Sequence, residues 1–484
     1  MTSSRTTRVR AVTAVLTAAS AGIAGLVAQP ATAADGSEST YLVVAPRGQG
    51  SAKAVAALQR AGGDVVADYR QIGVVVATAT AGEAAEVQRA GVGAVASTEG
   101  LGALLDEGDA DVDAAATPTD ESLWRLQWDM RAINVAEAHQ INAGDRDVVV
   151  GVLDSGIAAN HPDLAGQVDP ALSADCNSGA PDTSYTAWQP TTSDHGTHVA
   201  GTIAAADNGI GVIGVAPGVT LASVKVVNDS GFIYPQAALC GFMWAAEHGF
   251  ELTNNSYYID PWEFNCRNDE RQRPVWQAIQ RAIRYSSSQG VLNVASAGNS
   301  NVDLQHKFID DGSPNDGSAP VEERLINGAC VDLPAEAPGV VTVSATGYTN
   351  LKSYYSSYGL GVVEVAAPGG DTRVRNPNVS TVADAILSTT RNSRTGALGW
   401  GYKQGTSMAS PHATGVAALA LSAQGDMSPG QLASFVQRTA EPLPCPEGVY
   451  DPRPGLDQYR ATCSGGQVNG FYGHGLVDAL AAVQ

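Results

Sequence analysis

The stretch DVVVGVLDSG, Asp147 to Gly156, decides the fold. Its apolar residues run on without the alternation of a half-exposed strand, so it reads as a strand covered on both faces, as in a parallel sheet. VTLASVKVV (219–227), GVLNVASAGN (290–299) and GVVTVSATG (339–347) repeat the theme. Helix-like segments such as ERQRPVWQAIQRAIRYSSSQG (270–290) lie between them. Strands alternating with helices predict an α/β unit with an open, doubly wound sheet. In such sheets functional groups gather beyond the carboxyl ends of the strands, where Asp154 and Asn299 stand.

Upstream, TYLVVA (40–45) reads as a strand and Ser51 to Ala61 as a helix. A strand over Gly73–Thr80, a helix over AGEAAEVQRAG (81–91) and a last strand VGAVAS (92–97) complete a small α+β unit. The acidic stretch DEGDADVDAAATPTDES (106–122) follows and has the composition of an exposed linker. At the amino end, Arg5, Arg8 and Arg10 precede an apolar run from Ala11 to Val27, and ATA closes at Ala33. That is a secretory signal peptide over 1–33. As a membrane anchor the run is short and rich in small residues, and no other segment is apolar enough to cross a bilayer.

The chain of 484 residues carries a formal net charge of −21, which favours solubility and counts against nucleic acid or an anionic membrane as partner. Six cysteines lie past the signal, an even count in an oxidising compartment, without a zinc-type spacing. Disulfides are expected, although six cysteines leave many pairings open. Cys445 with Cys463 is the first choice because both sit in one Pro- and Gly-rich loop. Cys266 with Cys330 comes next, which leaves Cys176 with Cys240 by elimination.

Four side chains at element ends carry the chemistry. Asp154 follows the first buried strand, and DHGTHVAGTIAAA (194–206) is read with His198 at the start of a small-residue helix. Asn299 ends VASAGN, and Ser407 opens GTSMASPHATGVAALALSA (405–423). Each alone is more commonly a cap, a core or a turn residue. Together they supply what acyl transfer to a serine needs: nucleophile, base, orienting carboxylate and an oxyanion donor. The order Asp, His, Ser along the chain is the order found in subtilisin.

VLDSGI (152–157), HGTHVAGTI (195–203), SAGN (296–299) and GTSMASPHATGVAAL (405–419) resemble the four signatures of the subtilases, the subtilisin-like serine peptidases. The resemblance runs from about Leu123 to Gln484 and includes the closing GHGLVDALAA (473–482). It implies a three-layer α/β/α fold with a mostly parallel sheet, preceded by a small α+β propeptide domain. The divisions are then 1–33 signal peptide, 34–115 propeptide and 116–484 peptidase domain. It implies a secreted monomer, made as a zymogen, that hydrolyses peptide bonds in polypeptide substrates. The propeptide would serve as intramolecular inhibitor and folding aid. Ser407 attacks, His198 is the base, Asp154 orients it, and Asn299 with the Ser407 backbone N–H holds the oxyanion. Small residues let the serine helix pack closely, and Pro411 is placed in its first turn, where a missing N–H is harmless.

Ser256, Tyr257, Tyr258 and Gly298 would line the substrate cleft. NNSYYIDPW (254–262) stands where many subtilases carry a glycine-rich segment, so two tyrosines there predict a narrower first pocket. NHPDL (160–164) and ADNGIGVIGVAP (206–217) resemble the family's calcium turns. Asp163 and Asn208, with the carbonyls of Ala206, Ile210 and Val212, would make an oxygen shell for a structural Ca²⁺. A narrow-specificity processing or exo-acting subtilase is the alternative to a broad endopeptidase, and two readings outside the family compete. An α/β-hydrolase esterase would need a G-x-S-x-G elbow, but Ala409 replaces its last glycine. A non-catalytic binding protein would be expected to lack a triad member, and none is missing.

Overall fold

The computed structural model describes residues 37–98, 112–116, 122–315, 324–373 and 381–484. The signal segment and most of the acidic linker lie outside the described residues.

The first unit runs β1 (Glu38–Val44), α1 (Ala52–Ala61), β2 (Asp64–Tyr69), β3 (Val74–Thr80), α2 (Ala81–Arg89), β4 (Ala94–Ser97). It forms an antiparallel sheet of order β2-β3-β1-β4. The sequence reading lacks β2, because DVVADY carries aspartates at 64 and 68, a residue type depleted in strands. Alternation decides which face meets what. Val43, Val75 and Ala77 pack on α1 and α2, while Leu42, Val44, Val74 and Val76 join a second core shared with the larger unit.

The larger unit holds β5 (Val149–Asp154), β6 (Ala174–Asp175), α3 (His195–Ala204), β7 (Thr220–Lys225) and α4 (Pro235–Glu247). It continues through β8 (Leu252–Asn255), α5 (Gln272–Ser288), β9 (Leu292–Ser296), β10 (Val340–Thr346) and β11 (Val365–Pro368). A hairpin, β12 (Ile386–Arg391) and β13 (Leu398–Lys403), leads into α6 (Thr406–Gln424). Seven strands form one parallel sheet of order β11-β10-β9-β8-β5-β7-β6. Within β5, Val150 and Val152 enter the core under α3 and α6, and Leu153 enters the core under α4 and α5. Both faces are covered, so the run is apolar without alternation.

The chain leaves β5 for β7 on one side and returns to β8 on the other, so the connections beyond these strands diverge and open a crevice. Helix α6 is buried over most of its length and rich in small residues, which allows close approach. A Cβ on Gly415 would lie 2.6 Å from the Val215 Cβ. Pro411 sits inside α6, one turn deeper than the first-turn position expected. Its missing N–H leaves the Ser407 carbonyl without the usual helical donor, and the Ser256 hydroxyl donates to that carbonyl at 3.0 Å instead. The disulfides are Cys176–Cys240, Cys266–Cys330 and Cys445–Cys463.

Candidate active site

Asp154 ends β5 with 1% of its surface exposed, and its Oδ1 accepts the Ser155 N–H at 2.7 Å. The ring facing it belongs to His195, the first residue of α3. His195 Nδ1 lies 2.9 Å from both Asp154 oxygens. The close approach depends on the next residue: a Cβ on Gly196 would meet the Gly156 carbonyl at 2.7 Å and Asp154 Oδ1 at 3.0 Å.

His198, expected beside Asp154, lies elsewhere. Three residues further along the helix, about 4.5 Å deeper along its axis, it is buried against the β12–β13 hairpin. Its Nε2–H is directed at the carbonyls of Ile386 (3.1 Å) and Gly401 (3.2 Å), and Nδ1 has no partner among the described residues. Burial, then the nearby Lys403 and His195, hold its pKa well below the ordinary imidazole range. It cannot reach a substrate. His195 keeps 18% of its side chain exposed.

Asn299 lies beyond β9. Its side-chain carbonyl accepts from the Thr406 N–H (2.8 Å) and hydroxyl (2.9 Å), which fixes the planar amide with its NH₂ at the far end. Ser407, the second residue of α6, is 5% exposed, and its hydroxyl donates to the Ser256 carbonyl at 3.3 Å. The segment after β8 therefore abuts the serine turn in both directions. Of the expected cleft residues, Tyr257 is turned into the core instead. Its hydroxyl donates to Asn255 Oδ1 at 3.0 Å, and burial, helped by Asp154, pushes its pKa up. The Tyr258 hydroxyl accepts from Asn315 Nδ2 at 2.7 Å. Gly298, with φ +94°, turns the chain into Asn299.

The five residues expected to hold calcium gather at one turn, but they do not fit the ion. Calcium needs oxygen lone pairs. The Asp163 carboxylate accepts instead from Trp400 Nε1 (2.6 Å), Val212 N (2.9 Å) and Asn208 Nδ2 (3.3 Å). The Asn208 side-chain oxygen accepts the Ile210 N–H at 3.1 Å, and the Ala206 carbonyl accepts the Asn208 N–H at 3.0 Å. A Cβ on Gly211 would lie 2.2 Å from Asp163 Oδ2 and 2.3 Å from Trp400 Nε1, so the turn is closed around the indole. Among the described residues no group of three or more His, Cys, Asp or Glu side chains could hold a metal.

The subtilase family model matches residues 145–475. Fervidolysin of Fervidobacterium pennivorans is 31% identical over 345 residues, a match covering 68% of this chain and 42% of that relative's length. M-protease of Shouchella clausii is 30% identical over 376 residues, covering 77% of this chain and 73% of the relative. The crystal structure of the epidermin leader peptide processing serine protease from Staphylococcus aureus superposes with a TM-score of 0.67 over 92% of this chain and 99% of that one. At 21% identity that likeness speaks for the fold. The chain belongs to the subtilase family of subtilisin-like serine endopeptidases.

Proposed function

We propose that this is a secreted endopeptidase, made as a zymogen, that cleaves polypeptides through Asp154, His195 and Ser407 with Asn299 as oxyanion donor. The observation that carries the reading is the His195 ring held at 2.9 Å on a buried carboxylate at the mouth of the crevice. Donation from Nδ1 to Asp154 leaves the basic lone pair of the neutral ring on Nε2. The Ser407 hydroxyl rests on Ser256, and rotation about χ1 carries its proton to that nitrogen as the oxygen attacks the scissile carbonyl. His195 then delivers the proton to the leaving amine, and water reverses the sequence to release the acid. The Asn299 NH₂ and the Ser407 N–H at the head of α6 meet the developing negative charge, where the helix dipole adds to them.

The amino-terminal unit fits the role of propeptide. Beyond its apolar face on α4 and α5, Arg281 of α5 donates to the carbonyls of Ile72 (3.1 Å) and Ala45 (2.9 Å), and the Tyr69 hydroxyl donates to the Gly179 carbonyl at 2.7 Å. Such contacts template the helices on the far face of the sheet while the chain folds. We place the signal at 1–33, the propeptide at 34–115 and the mature enzyme at 116–484. Among the described residues no helix is long and apolar enough to cross a membrane. Fluorophosphonate labelling of the processed protein, with mass spectrometry of the labelled peptide and of the amino terminus, tests the whole reading. Label on Ser407 and an amino terminus near 116 are expected. A folded protein that takes no label and cleaves no peptide ends it.

A further inference from the structure

Asp332 is a buried carboxylate that the mechanism above does not use. It is 3% exposed, and its Oδ1 has no hydrogen-bond partner among the described residues. Two neighbours locate it. On one side, the Cβ position of Gly298 would lie 3.8 Å from Asp332 Oδ2, so the carboxylate faces the backbone one residue before Asn299. On the other, the Ile259 N–H donates to the carbonyl of Leu333 at 2.9 Å, which sets Asp332 next to a residue bonded to the segment that follows Ser256. Both segments abut Ser407, through Thr406 and through Ser256. Gly298 contributes no side chain between the two segments, and Tyr257 is turned away into the core.

The charges around Asp332 are unbalanced. Glu336 and Glu263 add negative potential. Lys307 opposes them from a distance, but its ammonium is committed to Glu336 and to the Leu304 carbonyl. Glu336 also takes the Asp332 N–H at 2.7 Å, which fixes the loop. Burial, Glu336 and Glu263 push the Asp332 pKa well above the ordinary carboxylate range. An acid left in this state lacks a positive partner, and a buried polar atom without one is costly. With the scissile carbonyl held between Ser407 and Asn299, the side chain on its acyl side would fall against these two segments, which the sequence assigns to the substrate cleft.

We propose that Asp332 is the specificity-determining residue of the first substrate pocket and selects lysine or arginine on the acyl side of the cleaved bond. The inference rests on the peptidase reading and narrows its substrate class. A cationic side chain supplies the missing partner for Oδ1, whereas an apolar one would leave the acid buried and unpaired.

The test is cleavage by the mature enzyme of a peptide series that differs only at that position: Arg, Lys, Leu, Phe and Glu. Wild type is expected to favour Arg and Lys over Leu in kcat/KM. Asp332→Asn, close in shape, is expected to lose about 10²-fold of that preference, the size typical of removing one partner of a buried charge pair. Cleavage after Leu should hold or rise, and Asp332→Ser should repeat the pattern. A purely structural role would lower all five substrates together. Equal or better cleavage after Leu or Phe by wild type, or an unchanged Arg/Leu ratio in both variants, overturns the proposal and leaves the peptidase intact. If no peptide is cleaved and Ser407 takes no fluorophosphonate, the peptidase reading falls, and this one with it.

Discussion

Two histidines in one motif, His195 and His198, differ in everything that matters for catalysis. One is at the helix start against a carboxylate; the other is buried with its proton on backbone carbonyls. The sequence contained the signal that separates them. Asp194 is an N-cap residue type and puts His195 at the first helical position, where functional groups of this architecture collect. Placing His198 at the helix start shifts the boundary by three residues, and that shift alone moves the base into the core. The burial of His198 has its own consequence for pH. Burial also lowers the pKa of His139 and His161. The unfolded rings take protons near pH 6.5, while the folded ones resist them. Stability is therefore full above about pH 6.5 and lost as pH falls below it. Urea midpoints at pH 7 and pH 5 should differ in that direction. At Asn299, replacement by Ala should lower kcat by about 10²–10³ with little change in KM, the range measured for the asparagine donor of subtilisin itself. Steady-state kinetics would check it, and a loss confined to KM would deny the oxyanion role.

At the scale of elements, most of the parallel sheet was legible because a strand buried on both faces leaves a continuous apolar run. Strand β2 was not legible, since its aspartates disguise a half-exposed edge. The turn at 206–212 shows a different limit. Its residue types suit calcium, yet the partner that decides the matter, Trp400, comes from β13, far along the chain. No local pattern could reveal an indole N–H directed at Asp163. Adding a chelator is expected to leave the melting temperature unchanged. Trp400→Phe should cost about 1–3 kcal/mol by removing one of the hydrogen bonds to a buried carboxylate, whose Oδ2 keeps only the Val212 N–H, as measured by denaturant unfolding. A large drop in melting temperature with the chelator, reversed by calcium, would contradict this account of the turn.

Across the whole molecule, a fully buried lysine joins distant parts. Lys352 Nζ donates to Asn301 Oδ1 at 2.7 Å, two residues past Asn299. The amide of Asn301 donates in turn to the carbonyls of Gln458 (2.9 Å) and Arg460 (3.3 Å), inside the loop closed by Cys445–Cys463. Burial, opposed by Asp371, lowers the lysine pKa to about 7 from 10.5. The unfolded chain therefore binds more protons between these values, and this group's contribution to stability rises with pH from about 7 to about 10.5. Lys352→Met should flatten that part of the stability profile, which denaturant titrations at pH 7 and pH 10 would read. Nothing in the local sequence around Lys352 marks it for burial. Its burial arises from three segments that only the fold brings together. The outline of the molecule was open to reading, with a small first unit, a long α/β unit and four motif-bearing turns. The three cysteine pairs were open to reading as well, but the long-range hydrogen-bond and ionic partners of its side chains were not.

The central claim is that His195 serves as the base for Ser407, held by Asp154. Measuring kcat/KM for His195→Ala and His198→Gln side by side, each first verified as folded by near-ultraviolet circular dichroism, tests it directly. His195→Ala should lose about 10⁶-fold through kcat, the size of the kcat loss when subtilisin's own histidine is removed. His198→Gln, which keeps an N–H for the Ile386 carbonyl, should retain activity within about tenfold and unfold more readily. Near-normal turnover by a folded His195→Ala, with activity abolished in a folded His198→Gln, would contradict the account.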